Sequence, residues 1–524
     1  MMDNKTLLAI VLSVAVILGF QYFMPKPAPV PLPAGPVAEK SVENGLDKKE
    51  GQEKSGAVSV VTATTEPREK DIKIENNLFT VVLSSKGGTV KSWEIKEYKD
   101  KIGKDVFLLN KPGILPAVGV GSNANFDLSG VNFYTNSKDV QLDQNNKIGI
   151  VVFEYSKDGA SVRRTYTFNY GAYDVELTDE VSGLPEYWIT LGSDFGMFQR
   201  DGAVYSGPAL LTGTDLKEFK AKNLKEPAVF KEGLKWIAQE DKYFFAALAP
   251  VTQVEEARAW LYKDTPAIAF KGKPGVNKFH LYAGPKEHDS LAKLNLGLEH
   301  VIDYGFFSII ARPLFWILKF FYRFLGNYGW SIILLTIVVR IPFIPLVSKG
   351  QSSMKKLQAI QPKMNEIKEK YKKDPQKMQS EMMELYKKHK VNPMGGCLPM
   401  LLQIPVFFAL YKVLLVSIEL RGAPFMLWIT DLSAADTLFG HVAGFSLGGP
   451  LPYLMGITMV IQQKMTPSTM DPKQAKMMML MPVVFTFMFL NFASGLVLYW
   501  LVNNLLSIGQ QVVVNRKVAK QTAA

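Results

Sequence analysis

WSIILLTIVVRIPFIPLV, Trp330–Val347, is a membrane-length apolar run with a single charge, Arg340, near its centre. An arginine at bilayer depth costs at least ~2.5–3.5 kcal/mol on insertion-based scales, so it faces protein interior or water rather than lipid. A structural salt bridge is the ordinary explanation for such a residue. The other apolar segments of the C-terminal half, roughly 394–417, 451–466, 477–493 and 494–514, contain no Asp or Glu. Without a carboxylate partner, the charge points to a wet cavity. Thr336 lies one helical turn earlier on the same face and extends the polar stripe. Pro342 and Pro345 each remove a backbone donor and bend the helix just below the charge, which membranes tolerate where protein or water covers the freed carbonyls.

Working outward, 524 residues leave room for several domains. Mean hydropathy is +0.05 while 21% of residues are charged, so apolar and polar material must be segregated along the chain. Net charge is +12. The single cysteine, Cys397, excludes an intramolecular disulfide, and five scattered histidines give no metal-ligand spacing. No metal or other cofactor is expected.

Leu7–Met24 is an apolar run followed at once by proline. A cleaved signal peptide has a shorter apolar region of ~7–15 residues ending at a small-x-small site, so an uncleaved anchor over 1–24 is expected. Six prolines between 25 and 36 make a stiff linker, and 38–70 is too poor in apolar residues to pack. From Asp71 the periodicity changes to two. Lys73–Ser84, Ile148–Tyr155, Ser161–Asn169, Asp174–Val181, Tyr187–Leu191, Lys242–Leu248 and Lys278–Ala283 read as strands. Lys86-Gly87-Gly88 and Asp158-Gly159 read as turns. An antiparallel sandwich follows, with a short helix over 290–298. Its Glu and His residues offer no paired-carboxylate spacing for sugar chemistry, so a scaffold or docking surface is the better reading.

Val301–Leu325 is split by Pro313 into pieces of about 12 residues, shorter than the ~20 a span needs. Arg312, Lys319 and Arg323 share one helical face among Phe, Trp, Leu and Ile, which describes an interfacial helix. After the Arg340 helix, residues 349–390 hold twelve lysines against five acids, a net of +7. Met354, Leu357, Ile360, Met364, Ile367 and Tyr371 form one stripe. Asp374-Pro375 then restarts a helix as N-cap and first position. This basic hairpin carries more than half of the net charge and marks the cytoplasmic side. Topology and anionic lipid thus account for the basic balance, and nucleic acid is discounted. With the anchor entering from inside and the tail Arg516, Lys517 and Lys520 also inside, six spans place the sandwich outside. Gln403 sits at mid-depth of the third span and Lys412 nearer its outer end. On the last, Tyr499, Asn503, Ser507 and Gln511 fall at successive i+4 steps. Such a stripe can simply bond a neighbouring helix; with Arg340 and Thr336 it makes two polar faces and one cavity.

LLTIVVRIPFIPL (334–346), VNPMGGCLPMLLQIPVFFALY (391–411), LRGAPFMLWITDLS (420–433), QKMTP (463–467) and SGLVLYWLVNNLLSIGQQ (494–511) resemble the YidC/Oxa/Alb family of membrane protein insertases. The anchor, linker and outer domain resemble its Gram-negative version. The resemblance implies an α+β protein, not an enzyme. Six transmembrane helices, five of them forming the insertase core, would carry a large periplasmic β-supersandwich. The parts are 1–24 anchor, 25–70 linker, 71–298 β domain, 299–325 interfacial helices, 326–516 core with hairpin 349–390, and 517–524 basic tail. It further implies a hydrophilic groove containing Arg340, to which the polar stripes add Thr336, Gln403, Asn503 and Ser507, and substrate contacts at Tyr499 and Trp500, where the family commonly shows two tyrosines. Expected partners are nascent membrane proteins, the ribosome, a Sec-type translocon and anionic lipids, in the bacterial inner membrane. A channel or secondary transporter is the competing class; it would show inverted repeats and broken-helix sites, which are not found in this sequence.

Overall fold

The structure, a computed structural model, describes residues 68–100, 103–111, 113–198, 204–389, 391, 398–442, 445–465 and 472–523. The expected anchor, nearly all of the linker, the entry to the third span at 392–397 and the side chains of the tail lie outside these residues. The chain divides into two compact units, residues 1–285 with 291–300, and residues 286–290 with 301–524.

Alternation of apolar and polar residues builds the first unit into sheets. The largest has eight strands in the order Asp215–Glu218, Gly207–Thr212, Leu234–Glu240, Phe244–Pro250, Gly275–Pro285, Asp174–Ser182, Ala160–Asn169 and Ile148–Lys157. Two five-stranded sheets complete it, one around Phe79–Ser84 and Thr89–Lys99, the other around Glu256–Tyr262 and Thr265–Gly272. Asp158 and Gly159 both take positive φ, 54° and 78°. That is the turn whose twist matches a two-residue hairpin. The expected single strand Lys73–Ser84 is instead two, Asp71–Glu75 and Phe79–Ser84. Asn76 breaks it: its side chain turns inward to donate to the Asn169 carbonyl at 3.0 Å. Among the described residues, pairing is antiparallel except where Ile74 and Glu75 run parallel to Val140 and Gln141.

Two features hold this core. Trp93 packs against Phe79 and Phe195 with ring centroids 4.8 and 5.5 Å apart. Arg164 and Asp179, both wholly buried, form a two-pronged pair at 2.8 and 2.6 Å. Tyr187 Oη donates to the same carboxylate at 2.6 Å, and Arg164 also reaches the carbonyls of Val118 and Gly88. The Asp179 charge holds the Arg164 guanidinium above its ordinary pKa against the opposing effect of burial, which is the larger single influence. A buried pair persists only when its remaining donors and acceptors are met, as here.

Helix α1 (His288–Lys293) is divided between the two units, and the second unit is otherwise helical: α2 (Ser308–Leu325), α3 (Tyr328–Arg340), α4 (Ile344–Ala359), α5 (Gln361–Lys370), α6 (Pro375–Lys388), α7 (Leu398–Val416), α8 (Pro450–Met465), α9 (Pro472–Phe489) and α10 (Ser494–Ala523). Pro313 does not divide α2. It lies exposed in the second turn, where it removes only the bond to the Ile309 carbonyl. Ala311, Leu314, Phe315 and Leu318 are buried, while Ile309, Trp316 and Phe324 are exposed. By length and composition, Gly305–Leu325, Tyr328–Ala359 and Ser494–Arg516 could each cross a membrane; Gln403–Val416 and Met477–Phe489 are shorter apolar helices. The hairpin forms as its pattern requires. Asp374 accepts from the Lys377 amide, Pro375 opens α6, and Leu357, Ile360, Met364 and Val391 pack together.

Between α7 and α8 a loop that opens with a 3₁₀ turn over Ile418–Leu420 folds back on the start of α10. Ser494 N and Oγ both donate to the Ala434 carbonyl, at 2.7 and 2.8 Å. Asp436 accepts from Trp428 Nε1 and from the Leu451 amide, both at 3.0 Å, so one carboxylate ties the loop to the N-terminus of α8.

Candidate functional site

The apolar run read first in the sequence is not one uninterrupted helix. It holds α3 to Arg340, tightens into a 3₁₀ turn over Ile341–Phe343, and resumes as α4 with Pro345 in its first turn. Arg340 therefore sits at a helix C-terminus, where a cation is favoured by the helix dipole. Its half-buried guanidinium meets α10. One nitrogen donates to Asn503 Oδ1 at 2.5 Å, the other to Ser507 Oγ at 2.9 Å and Gln510 Oε1 at 3.3 Å. Positions 503, 507 and 510 are i, i+4 and i+7, one face of a helix. Among the described residues no carboxylate touches Arg340, so its charge is shared over neutral acceptors and remains uncancelled.

Gln510 is a site residue that stepping by four along α10 passes over. Its Nε2 donates to the Ile344 carbonyl at 3.0 Å and to Ser348 Oγ at 2.9 Å. It thereby joins Arg340 to the first turn of α4. Gln511, which the i+4 spacing singles out, is buried and bonds Asn515 instead. The only advance signal was the doubled glutamine at 510–511.

The other expected residues are distributed differently. Thr336 is buried and gives its hydroxyl to the Ile332 carbonyl at 2.7 Å in its own helix, so it is not brought to Arg340. Tyr499 is buried and receives the Gln403 amide, linking α10 to α7. Trp500, half-buried, stands among Phe407, Phe489 and Phe485 at 5.0, 5.4 and 6.1 Å between ring centroids. On another face of α10, Asn504 donates to Thr458 Oγ1 at 3.2 Å, a plain helix-to-helix bond. Arg340, Asn503 and Ser507 thus converge as expected; Gln403 with Tyr499 forms a second polar pair, and Thr336 joins neither.

No group of His, Cys, Asp or Glu among the described residues is arranged to hold a metal. What the arrangement offers is an arginine at the mouth of a helix kink, held by exchangeable neutral partners on one apolar bundle. A cation met only by neutral acceptors among the described residues has the chemistry to accept an anionic or polar group in their place. Residues 320–521 match the model of the 60Kd inner membrane protein family and residues 71–317 that of the YidC periplasmic domain. The chain belongs to the YidC membrane protein insertase family. It is 41% identical over 543 residues to the membrane protein insertase YidC of Pelobacter propionicus, covering 99% of this chain and 100% of that one. For the insertase YidC of Geotalea daltonii the identity is 40% with the same shares of each chain. A crystal structure of an active YidC insertase is similar over 85% of this chain and 94% of its own, with 20% identity and a TM-score of 0.37.

Proposed function

We propose that this chain inserts nascent membrane proteins into the inner membrane by way of a polar groove at Arg340, Asn503, Ser507 and Gln510. The observation that carries the reading is a membrane-depth arginine whose three side-chain partners are all uncharged. A carboxylate or polar flank of a substrate can replace them, because a hydrogen bond between two charged groups is roughly twice as strong as one between neutral groups. The substrate's acidic flank is then held near Arg340 rather than dragged unsolvated through hydrocarbon. Its apolar helix leaves sideways past the aromatic surface of Trp500, Phe407 and Phe485. With the cell interior negative, moving an acidic tail outward gains ~2.3 kcal/mol per charge per 100 mV. No nucleotide is required.

In this reading the protein is multi-pass, with both termini and the hairpin 349–390 in the cytoplasm and the β domain in the periplasm. The hairpin's net +7 attracts anionic lipid and the ribosome. A Sec-type translocon is a partner for larger substrates. A photo-crosslinker placed at Gln510 or Trp500 in the full chain should capture a ribosome-bound membrane protein, while one at lipid-facing Ile457 on α8 should not. Equal capture at all three positions would remove the groove from the account.

A further inference from the structure

The loop between α7 and α8 has no part in the groove, yet its chemistry is unlike that of a water-facing loop. From Thr437 to Gln463 the chain carries no Asp, Glu, Lys or Arg. The loop's distal part is a small hairpin, His441–Val442 paired with Phe445–Ser446. Phe439, Val442 and Phe445 are 52%, 60% and 78% exposed. A contiguous apolar patch of this kind marks an interaction surface on any soluble face.

The patch is built, not frayed. Phe439 N donates to the Gly448 carbonyl at 2.9 Å and Leu447 N to the Gly440 carbonyl at 3.0 Å, closing the base. Tyr453 Oη donates to the Leu447 carbonyl at 2.9 Å, and its ring lies 6.0 Å from that of Phe439. Tyr453 also begins the exposed face of α8 that continues through Leu454, Ile457 and Ile461. The apolar surface of α8 therefore runs onto the hairpin with no charged break. α8 as described has 16 residues. The hairpin extends the apolar surface from its N-terminal end.

A second tip of the same loop points to the same environment. Leu427 is exposed and takes φ 57°, a left-handed conformation that leucine rarely adopts. Its neighbour Trp428 donates to Asp436, the carboxylate that also caps α8. Both tips are rooted on one buried side chain.

We propose that this loop is a lipid anchor: its paired strands His441–Val442 and Phe445–Ser446, rooted on Asp436, lie in the interfacial layer of the outer leaflet with Phe445 among acyl chains. The occupant is lipid because the patch continues the lipid-facing side of α8 and bears no charge for a protein partner to match. The anchor rests on the proposed topology, which sets residues 418–449 outside. It would hold the outer end of α8, and through Ala434 the start of α10, at a fixed depth while substrates pass.

The test uses the full chain with Cys397→Ser and a single cysteine, either Phe445→Cys or Thr430→Cys, each checked for an unchanged unfolding temperature. In liposomes, an environment-sensitive fluorophore at position 445 should be quenched by lipids brominated on their acyl chains, be shielded from aqueous iodide, and stay so on tenfold dilution of protein into lipid. In cells with a permeabilised outer membrane, Thr430→Cys should react with a membrane-impermeant maleimide. Failure of that reaction, with the same cysteine labelled instead from the cytoplasmic side in inverted vesicles, would overturn the topology itself. Reaction at 430 with iodide also quenching at 445 would overturn the anchor alone. Shielding at 445 that disappears on dilution would give the surface to a second copy of the chain and refute the lipid assignment.

Discussion

Replacing Arg340 by alanine separates a groove charge from a structural ion pair. The guanidinium makes side-chain bonds at 2.5, 2.9 and 3.3 Å, all to neutral groups. Each hydrogen bond to a charged group is worth ~1.5–3 kcal/mol, but desolvating the guanidinium offsets much of that total. The site is half-buried, so water can reach the acceptors left behind. The net loss of stability should be on the order of 1–2 kcal/mol, a shift of a few degrees in unfolding temperature. Stranding one member of a buried ion pair would cost ~3–5 kcal/mol. The effect on substrates is larger. A carboxylate ~4 Å from the guanidinium gains ~4 kcal/mol at an effective dielectric constant of ~20, and losing a third of it is a factor of ten. Arg340→Ala should therefore slow insertion of a substrate with an acidic tail at least about tenfold, and a neutral-tailed twin less than about threefold. Arg340→Lys keeps the charge without the donor fork and should stay within about threefold of the native protein on both. The assay is protease protection of two substrates differing only in tail charge, beside thermal unfolding of each variant. Equal loss on both substrates, or unfolding of Arg340→Ala, would refute the reasoning.

Gln510→Glu places a carboxylate where an amide oxygen now lies 3.3 Å from Arg340 but forfeits the Nε2 donation to the Ile344 carbonyl, so it should slow acidic-tailed substrates about tenfold, as an internal competitor, without a gain in unfolding temperature; a variant as active as the native protein on such substrates would count against displacement of neutral partners. Glu419 follows the end of α7 in a short turn, and burial pushes its carboxyl up to about 7 from an ordinary 4.5, with Lys319 pulling the other way. The folded state holds that proton where the unfolded chain releases it, so stability falls as pH rises from about 4.5 through 7, by up to about 3 kcal/mol. Glu419→Gln should abolish that fall and match the native protein at pH 5, which unfolding curves at pH 5 and 8 would check. In the β domain, Asp179→Ala strands Arg164 in a dry core and should cost that domain ~3–5 kcal/mol. Deleting about 72–285 outright should leave insertion largely intact, and complete loss of insertion by a stably expressed deletion would contradict this.

Arg340 was legible because a lone charge in an apolar run is expensive, and nothing nearby in the sequence cancels it. Asn503 and Ser507 followed from helical spacing. Gln510 did not, because which of two adjacent glutamines faces a partner helix is decided by packing against α3 and α4, not by α10 alone. The same limit hid the bond between Gln403 and Tyr499 and the ring cluster around Trp500, each assembled from separate helices. Thr336 was read as part of the stripe from its position, but a threonine hydroxyl in a helix readily satisfies itself on the carbonyl four residues back. In the β domain, alternation located eight of the eighteen strands among the described residues and passed over others such as Thr89–Lys99, Leu234–Glu240, Glu256–Tyr262 and Thr265–Gly272. It ran Asp71–Glu75 and Phe79–Ser84 together because Asn76 keeps the period while turning the chain. The parallel pairing with Val140 has no local signature at all. Pro313 misled in the opposite sense, since a proline early in a well-packed helix removes one bond that burial of Leu314, Phe315 and Leu318 readily outweighs.

The central claim is that this chain alone moves a polar flank across a bilayer at Arg340. The most direct measurement is reconstitution of the purified full-length protein in liposomes with a short two-span substrate bearing an acidic tail, and no translocon or nucleotide. The account predicts protease-protected substrate from the native protein and little from Arg340→Ala. Folded, correctly oriented native protein that protects no more substrate than empty liposomes would contradict it.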